Sequence, residues 1–416
     1  MEEIDVPTFF LCPISLAIMK DPVTVPTGIT YDRESIEKWL FAGKNNTCPM
    51  TKQVLSSECE LTPNHTLRRL IQSWCTLNAS YGIERIPTPK PPINKAQITK
   101  LLNEAAKSPQ MQIKCLKKLR SIAAENETNK RCLESAGAVE FLASFVTNSN
   151  AMEESPEGFD NLHESSRPVD EALSILCNLK ISELGLKSLV MGRNGTFVDS
   201  LTQIMQRGTY ESRAYAVLLL KSMLEVAEPM QLISLRQELF VEVIQVLHDH
   251  ISQQASKSAL EVLVNICPWG RNRIKGVEAG AVSILIDLLL DSSLERRASE
   301  MILTVLDLLC QCAEGRAELL KHGAGLAIVS KKILRVSQVA SERAVRILLS
   351  ISKFSATNSV LQEMLQIGVV AKLCLVLQVD NSMKTKDKAR EVLKLHARAW
   401  KNSPCVPENL LSLYPA

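Results

Sequence analysis

Two short phrases in the N-terminal segment carry residue types that could do chemistry: Cys12-Pro13-Ile14-Ser15 and Cys48-Pro49-Met50-Thr51. Each reads as half of a zinc-binding Cys-x2-Cys knuckle whose second thiol has become a hydroxyl. A zinc cross-brace needs a full Cys/His quartet around each metal. Between residues 5 and 80 the chain offers Cys12, Cys48, Cys59, Cys75 and His65, with no two cysteines at knuckle spacing. Zinc therefore fails on the count of ligands, and the sequence implies neither metal nor other cofactor. A domain of this size is marginal without a staple. The turns supply Lys20, Asp21, Asp32, Arg33, Glu34, Thr51 and Asn64. A buried network of hydrogen bonds and ion pairs among them could replace the metal; sequence alone assigns no partners.

The elements that hold these turns lie in a longer chain. Its 416 residues suggest two or more units, and 46% hydrophobic with 22% charged residues is a globular composition. Aromatic residues are only 4%, so the core must come from Leu, Val, Ile and Ala, which favours packed helices over a sandwich or barrel. A net charge of +3 is too mild for a nucleic-acid binder. The start, Met1-Glu2-Glu3-Ile4-Asp5, lacks the basic and apolar regions of a signal peptide. No run of about 18 uncharged apolar residues predicts a membrane span. The 12 scattered cysteines read as reduced thiols, and a cytoplasmic location is expected.

Composition changes at Ile86-Pro87-Thr88-Pro89-Lys90-Pro91-Pro92, which predicts a stiff, extended spacer over 80–96. Beyond it the chain repeats. Gly137, Gly195, Gly280, Gly323 and Gly368 each open a leucine-rich run, at intervals of 58, 85, 43 and 45 residues. The 85 predicts a hidden copy near Leu239-Phe240-Val241, with Glu238 in the glycine's place. Ala172, Ala216, Ala259 and Ala344 mark a second landmark in the same register. Small residues there let neighbouring helices approach closely, while glycine permits a sharp turn. A period of roughly 40–47 residues fits the armadillo and HEAT class, and the glycine-alanine turns resemble armadillo repeats. About six or seven units are expected over 97–403, followed by a loose tail or final cap over 404–416. The long first interval predicts an acidic surface insertion at 147–168; it is either a tolerated insertion or a contact loop phosphorylated at Ser155. The sequence does not say whether Ser155 or Thr88 is modified.

The N-terminal phrases form an ordered set. Phe10-Leu11-Cys12-Pro13-Ile14-Ser15, Met19-Lys20-Asp21-Pro22-Val23, Thr27-Gly28-Ile29-Thr30-Tyr31-Asp32-Arg33 and Ile36-Glu37-Lys38-Trp39-Leu40 are followed by Cys48-Pro49, Leu61-Thr62-Pro63-Asn64 and Leu67-Arg68-Arg69-Leu70-Ile71. Together they resemble the U-box over residues 5–79. A U-box followed by armadillo repeats resembles the plant U-box class of ubiquitin-protein ligases. The resemblance implies a mainly α protein: a small α+β, RING-like but zinc-free module followed by an α-solenoid. It also implies that a ubiquitin-charged conjugating enzyme docks on Pro13, Ile14, Leu16, Trp39, Pro49 and Lys52. Cys12, Asp21, Gly28, Asp32, Arg33, Thr51 and Asn64 would hold the module together; Cys12, the tempting nucleophile, is structural in this class, so the resemblance implies no covalent catalytic residue. Ile14 and Trp39 read alternatively as plain core, and Lys52 as a solvated surface residue.

The implied chemistry is attack of a substrate lysine amine on a thioester that is already activated, which needs no triad or metal. Holding the two partners together can contribute roughly 7–11 kcal/mol in the best cases. The solenoid would hold the protein substrate. The family resemblance further implies a role in stress or defence signalling and self-association through the U-box. Trp269 and Trp400 are not at repeat spacing, which excludes an importin-like groove. A scaffold whose U-box only binds partners is the alternative function.

Overall fold

The computed structural model describes residues 5–42, 45–56, 61–88, 93–148, 167–192 and 196–400. The acidic stretch around Ser155, the tail at 404–416 and Pro89, Pro91 and Pro92 of the spacer lie outside the described residues, as does Gly195. Among those described, no single helix is long and apolar enough to cross a membrane.

Short β-forming runs separated by turn residues make a small sheet before the helices begin. β1 (Pro22–Thr24) pairs antiparallel with β2 (Thr30–Asp32), Val23 opposite Tyr31, and on its other side with β3 (Thr62–Pro63). The β1–β2 turn closes through Val25 N–H to Ile29 O, 3.0 Å, and requires Gly28 at φ +83°. Asp32 then opens α1 (Arg33–Glu37), which runs on as a π-helical turn, Lys38–Ala42. α2 (His65–Leu77) begins at Asn64, whose side chain accepts the Leu67 N–H at 3.0 Å. Tyr31, Val23, Ile36, Ile71, Cys12, Cys48 and Cys75 form the buried centre of this module. Ile83 and Ile86 pack against the same centre, and Gln72 Nε2 donates to Ile86 O at 3.3 Å. Ile83 and Ile86 therefore lie along the module.

α3 (Lys95–Lys107) starts in a capping box of Asn94 and Gln97, and α4 (Pro109–Glu125) starts with proline at its first turn. Both pack together, and α4 packs on α5 (Glu127–Ser135). Compactness draws its line beyond the spacer. Residues up to Phe141 form one unit with Asn178–Lys180, and Leu142–Cys177 with the chain from Ile181 onward forms the other.

The remaining helices recur in threes. The second helix of each set is Ala138–Asn148, Thr196–Arg207, Gln237–His248, Ala281–Leu290, Gly325–Lys332 and Val369–Gln378. Gln237–His248 is the copy expected near residue 238. The long third helices Tyr210–Glu225, Gln253–Ile266, Arg296–Leu309, Gln338–Phe354 and Met383–Leu395 stack successively on one another. Ala216, Ala259 and Ala344 are fully buried on these helices, as is Ala172 on Pro168–Asn178. A device absent from the sequence reading recurs at the joints. A polar side chain reaches back to a carbonyl at the end of the preceding third helix: Asn129 to Ile122 O, Asn272 to Ile266 O, Arg316 to Cys310 O. Such carbonyls have no intrahelical donor and need one.

Gly137, Gly280 and Gly368 take the left-handed conformation that the turns were expected to require, whereas Gly323 does not. In that repeat the demand falls on Gly325, where a Cβ would meet Leu319 O at 2.1 Å. At Gly280, φ is +85° and a Cβ would meet nothing within 4 Å. Gly280→Ala should therefore destabilise the second unit by backbone strain alone, about 1–2 kcal/mol. Gly276→Ala, inside a helix, has only the flexible Leu309 Cδ2 at 3.2 Å to displace and should cost less. Urea unfolding followed by Trp269 fluorescence compares the two.

Candidate functional site: the paired turns of the N-terminal module

The two Cys-Pro phrases fold into matching turns. In the first, Cys12 N–H donates to Ala17 O at 2.9 Å and Leu16 N–H to Cys12 O at 2.8 Å. In the second, Cys48 N–H donates to Gln53 O at 2.8 Å and Lys52 N–H to Cys48 O at 2.9 Å. Both turns close on a non-glycine residue at positive φ, Leu16 at 56° and Lys52 at 59°. That conformation is uncommon for such side chains and is kept only where the surroundings impose it.

The imposition comes from the sulfurs. Cys48 Sγ accepts from Thr27 Oγ1 at 3.3 Å and meets Tyr31 Oη at 3.1 Å, and Tyr31 Oη in turn accepts the Met50 N–H at 3.2 Å. Cys12 Sγ accepts the Asp32 N–H at 3.3 Å. Burial pushes the Cys48 thiol up, but the hydroxyls of Thr27, Thr51 and Tyr31 outweigh it and lower the pKa to about 6. Burial likewise opposes ionisation of Cys12, and N–H groups of Ser15, Asp32 and Ile14 more than offset it. The Tyr31 phenol moves the other way, pushed up by burial and by its bond to Cys48. Ser15 and Thr51, at the positions of the missing second cysteines, also favour the ionised form of the sulfurs that remain.

Charged residues lock the turns to the sheet. Asp32 Oδ1 accepts both the Lys20 N–H at 2.8 Å and the Asp21 N–H at 2.9 Å. Arg33 Nε donates to Asp21 Oδ2 at 2.6 Å, and Arg68 Nη1 lies 3.7 Å from Asp21 Oδ1. Asn64 N–H donates to Pro22 O at 2.8 Å, which joins α2 to β1. Thr51 is exposed, and its Oγ1 also accepts the Gln53 N–H at 3.4 Å. Glu34 lies outside this network, in an exposed pair with Lys38.

The outer surface of the turns is apolar. Leu16 is 75% exposed, Met50 60% and Val54 75%. Pro13, Ile14 and Pro49 are partly exposed, with Ile14 also touching the core. Trp39 is half-buried; its Nε1 donates to Thr47 O at 2.8 Å, which fixes the ring plane. Lys52 Nζ stands 5.9 Å from the Trp39 ring centroid, within cation–π range. Met50 and Val54 were missed from sequence. The signal for Met50 was present, since it holds the place in Cys48-Pro49-Met50 that Ile14 holds in Cys12-Pro13-Ile14. Glu37, buried on α1, was also missed.

Residues 6–80 match the U-box domain model, and residues 97–416 match the plant U-box protein ARM repeat region. Two Arabidopsis thaliana proteins are similar over their whole length. "E3 ubiquitin-protein ligase PUB22" is 64% identical, covering 100% of both chains. "E3 ubiquitin-protein ligase PUB23" is 63% identical over 100% of this chain and 98% of its own. A solved designed armadillo repeat protein is 19% identical, covering 72% of this chain and 98% of its own, at a TM-score of 0.34. The chain belongs to the plant U-box family of ubiquitin-protein ligases that carry an armadillo repeat region.

Proposed function

We propose that the conjugating enzyme docks on the apolar surface of the two Cys-Pro turns and Trp39, and that the armadillo helices hold the protein to be modified. The observation that carries the first part is the exposed set Leu16, Met50 and Val54 on rigid, hydrogen-bonded turns beside an anchored Trp39. Solvent-exposed apolar side chains held in one conformation suit a partner that covers them, because little entropy is lost on binding. Lys52 over the Trp39 ring places one cation at the edge of that surface.

The ligase reaction then needs positioning only. The substrate lysine's neutral amine attacks the thioester carbonyl; a C–N bond forms, the C–S bond breaks, the conjugating enzyme's cysteine leaves as thiolate, and the nitrogen releases one proton to solvent. Cys12 and Cys48 take no part, since both are fully buried with their sulfurs held by protein donors. A discharge assay with charged conjugating enzyme and free lysine tests the reading. Ile14→Ala combined with Leu16→Ala should slow discharge at least ~10-fold, the loss of about 1.4 kcal/mol of docking energy. A chelator should change nothing. Unaltered discharge by the double variant would place the docking surface elsewhere, and chelator sensitivity would return a metal to the module.

A further inference from the structure

Glu37 is 2% exposed, although its neighbours Glu34 and Lys38 are open to solvent. Within the U-box it meets Arg33, whose Nη1 lies 3.7 Å from Glu37 Oε1. A carboxylate taken out of water needs more than one distant cation. The rest comes from the first armadillo helices. Thr128 Oγ1 donates to Glu37 Oε1 at 2.5 Å, and the backbone N–H groups of Glu127 and Thr128 turn toward the same carboxylate. Arg131, one turn further on, adds charge attraction.

Accounting for the start of α5 explains the arrangement. The first N–H groups of any α-helix lack an intrahelical acceptor. In α5, the Asn126 side chain accepts the Asn129 N–H at 2.7 Å, and Lys130 N–H closes onto Asn126 O at 3.4 Å. The N–H groups of Glu127 and Thr128 remain, and the bond from Thr128 Oγ1 brings the Glu37 carboxylate to this end of the helix. Negative charge at this end also suits the helix dipole. A residue of the U-box thus binds the first turn of a helix in the first armadillo repeat. Glu37 stands two residues before Trp39 on one continuous helical run. The segment between is tied at each end, through Gln72 to Ile86 O and through Cys132 Sγ to Ile93 O at 3.6 Å.

We propose that Glu37 is a positioning residue of the ligase: by binding the first turn of α5 through Thr128 it holds the first armadillo helices at a set place relative to Trp39, and so selects which lysines the thioester reaches. The proposal rests on the conjugating enzyme docking at Trp39. Glu37 touches no reacting atom. Its effect is geometric, and a misplacement of about 1 Å can cost ~10²-fold in rate. α3 and α4 present Lys100, Lys107, Lys114, Lys117 and Lys118 to solvent, a built-in scale for reading that placement.

The test uses the full chain with two variants. Glu37→Ala removes the carboxylate, and Thr128→Val removes the hydroxyl donor from the opposite side while leaving the U-box sequence intact. Hydrogen exchange at Glu127 and Thr128 should quicken in Glu37→Ala. Discharge onto free lysine should stay within about twofold of wild type in both, because neither side chain belongs to the apolar docking surface. The map of self-modified lysines on α3 and α4 should spread, with the dominant site falling at least ~10-fold. Unchanged lysine maps in both variants, with discharge intact, would overturn the proposal. So would loss of discharge in Glu37→Ala alone, which would mean Glu37 serves only the U-box fold. Wild-type discharge that ignores Trp39→Ala would instead sink the docking reading, a result the lysine map cannot mimic.

Discussion

Trp39→Ala should reduce ubiquitin transfer by ~30- to ~1000-fold, which corresponds to about 2–4 kcal/mol for truncating a central aromatic anchor. Three features of the site converge on this side chain. Its Nε1 bond to Thr47 O holds the ring against the second turn, its face carries Lys52 at 5.9 Å, and its other edge rests on the module's core. Truncation removes apolar contact area, frees the second turn and leaves Lys52 without its ring. Trp39→Phe separates these effects, because phenylalanine keeps a ring but has no donor for Thr47 O. It should retain most of the transfer if contact area dominates, and resemble alanine if the anchored orientation dominates. Single-turnover discharge at several conjugating-enzyme concentrations reads both variants. The buried residues Tyr31, Val23 and Ile36 do not depend on Trp39 for their bonds, so the thermal transition should persist. Full activity in Trp39→Ala with a normal transition would contradict the assigned surface.

Stability of the N-terminal module should rise between pH 6 and pH 9. Cys48 is held at about 6 in the folded chain against an ordinary 9.0. The pKa of an acid is depressed when folding favours its charged form. The contribution is therefore complete above the unfolded value and disappears as the pH falls through the folded one. Within that window the unfolded chain binds the extra proton, so each pH unit adds up to about 1.4 kcal/mol. Cys12 is lowered too and acts with the same sign. Tyr31 is raised from 10.0, so its effect falls above this range, while Glu37 is raised from 4.5 by burial and acts with the opposite sign. Cys48→Ser should flatten the slope, since a serine hydroxyl does not ionise there. Hydrogen exchange at the paired Val23 and Tyr31 amides, corrected for intrinsic rates, measures the module inside the full chain. Protection that stays flat or falls from pH 6.5 to 8.5 would show that Cys48 remains a thiol.

The parts of this protein that could be read from sequence are those written at fixed spacing. The glycine and alanine landmarks repeat because every armadillo unit must bury the same face against its neighbour, so Ala216 and Ala259 sit one period apart and both end up fully buried. The expectation of a zinc-free module rested likewise on counting ligands along the chain. Even so, position along a repeat did not say which glycine bears the constraint. Gly323 keeps the register, but it is Gly325 whose missing Cβ makes room for Leu319 O.

What replaces the metal was beyond the sequence for a physical reason. A hydrogen bond is made or lost over a few tenths of an ångström, and that placement is set by packing between distant segments. Thr27 and Tyr31 lie 21 and 17 residues from Cys48, and nothing at either position marks it as a donor to sulfur. Glu34 and Glu37 are written alike on the same short helix; one is an open surface charge, while the other reaches a hydroxyl 91 residues away. By itself the sequence determined the periodic core, the family and the type of reaction. Only the tertiary structure decided which polar groups leave water and which partners meet them there, because desolvation and its compensation depend on neighbours that the chain brings together only by folding.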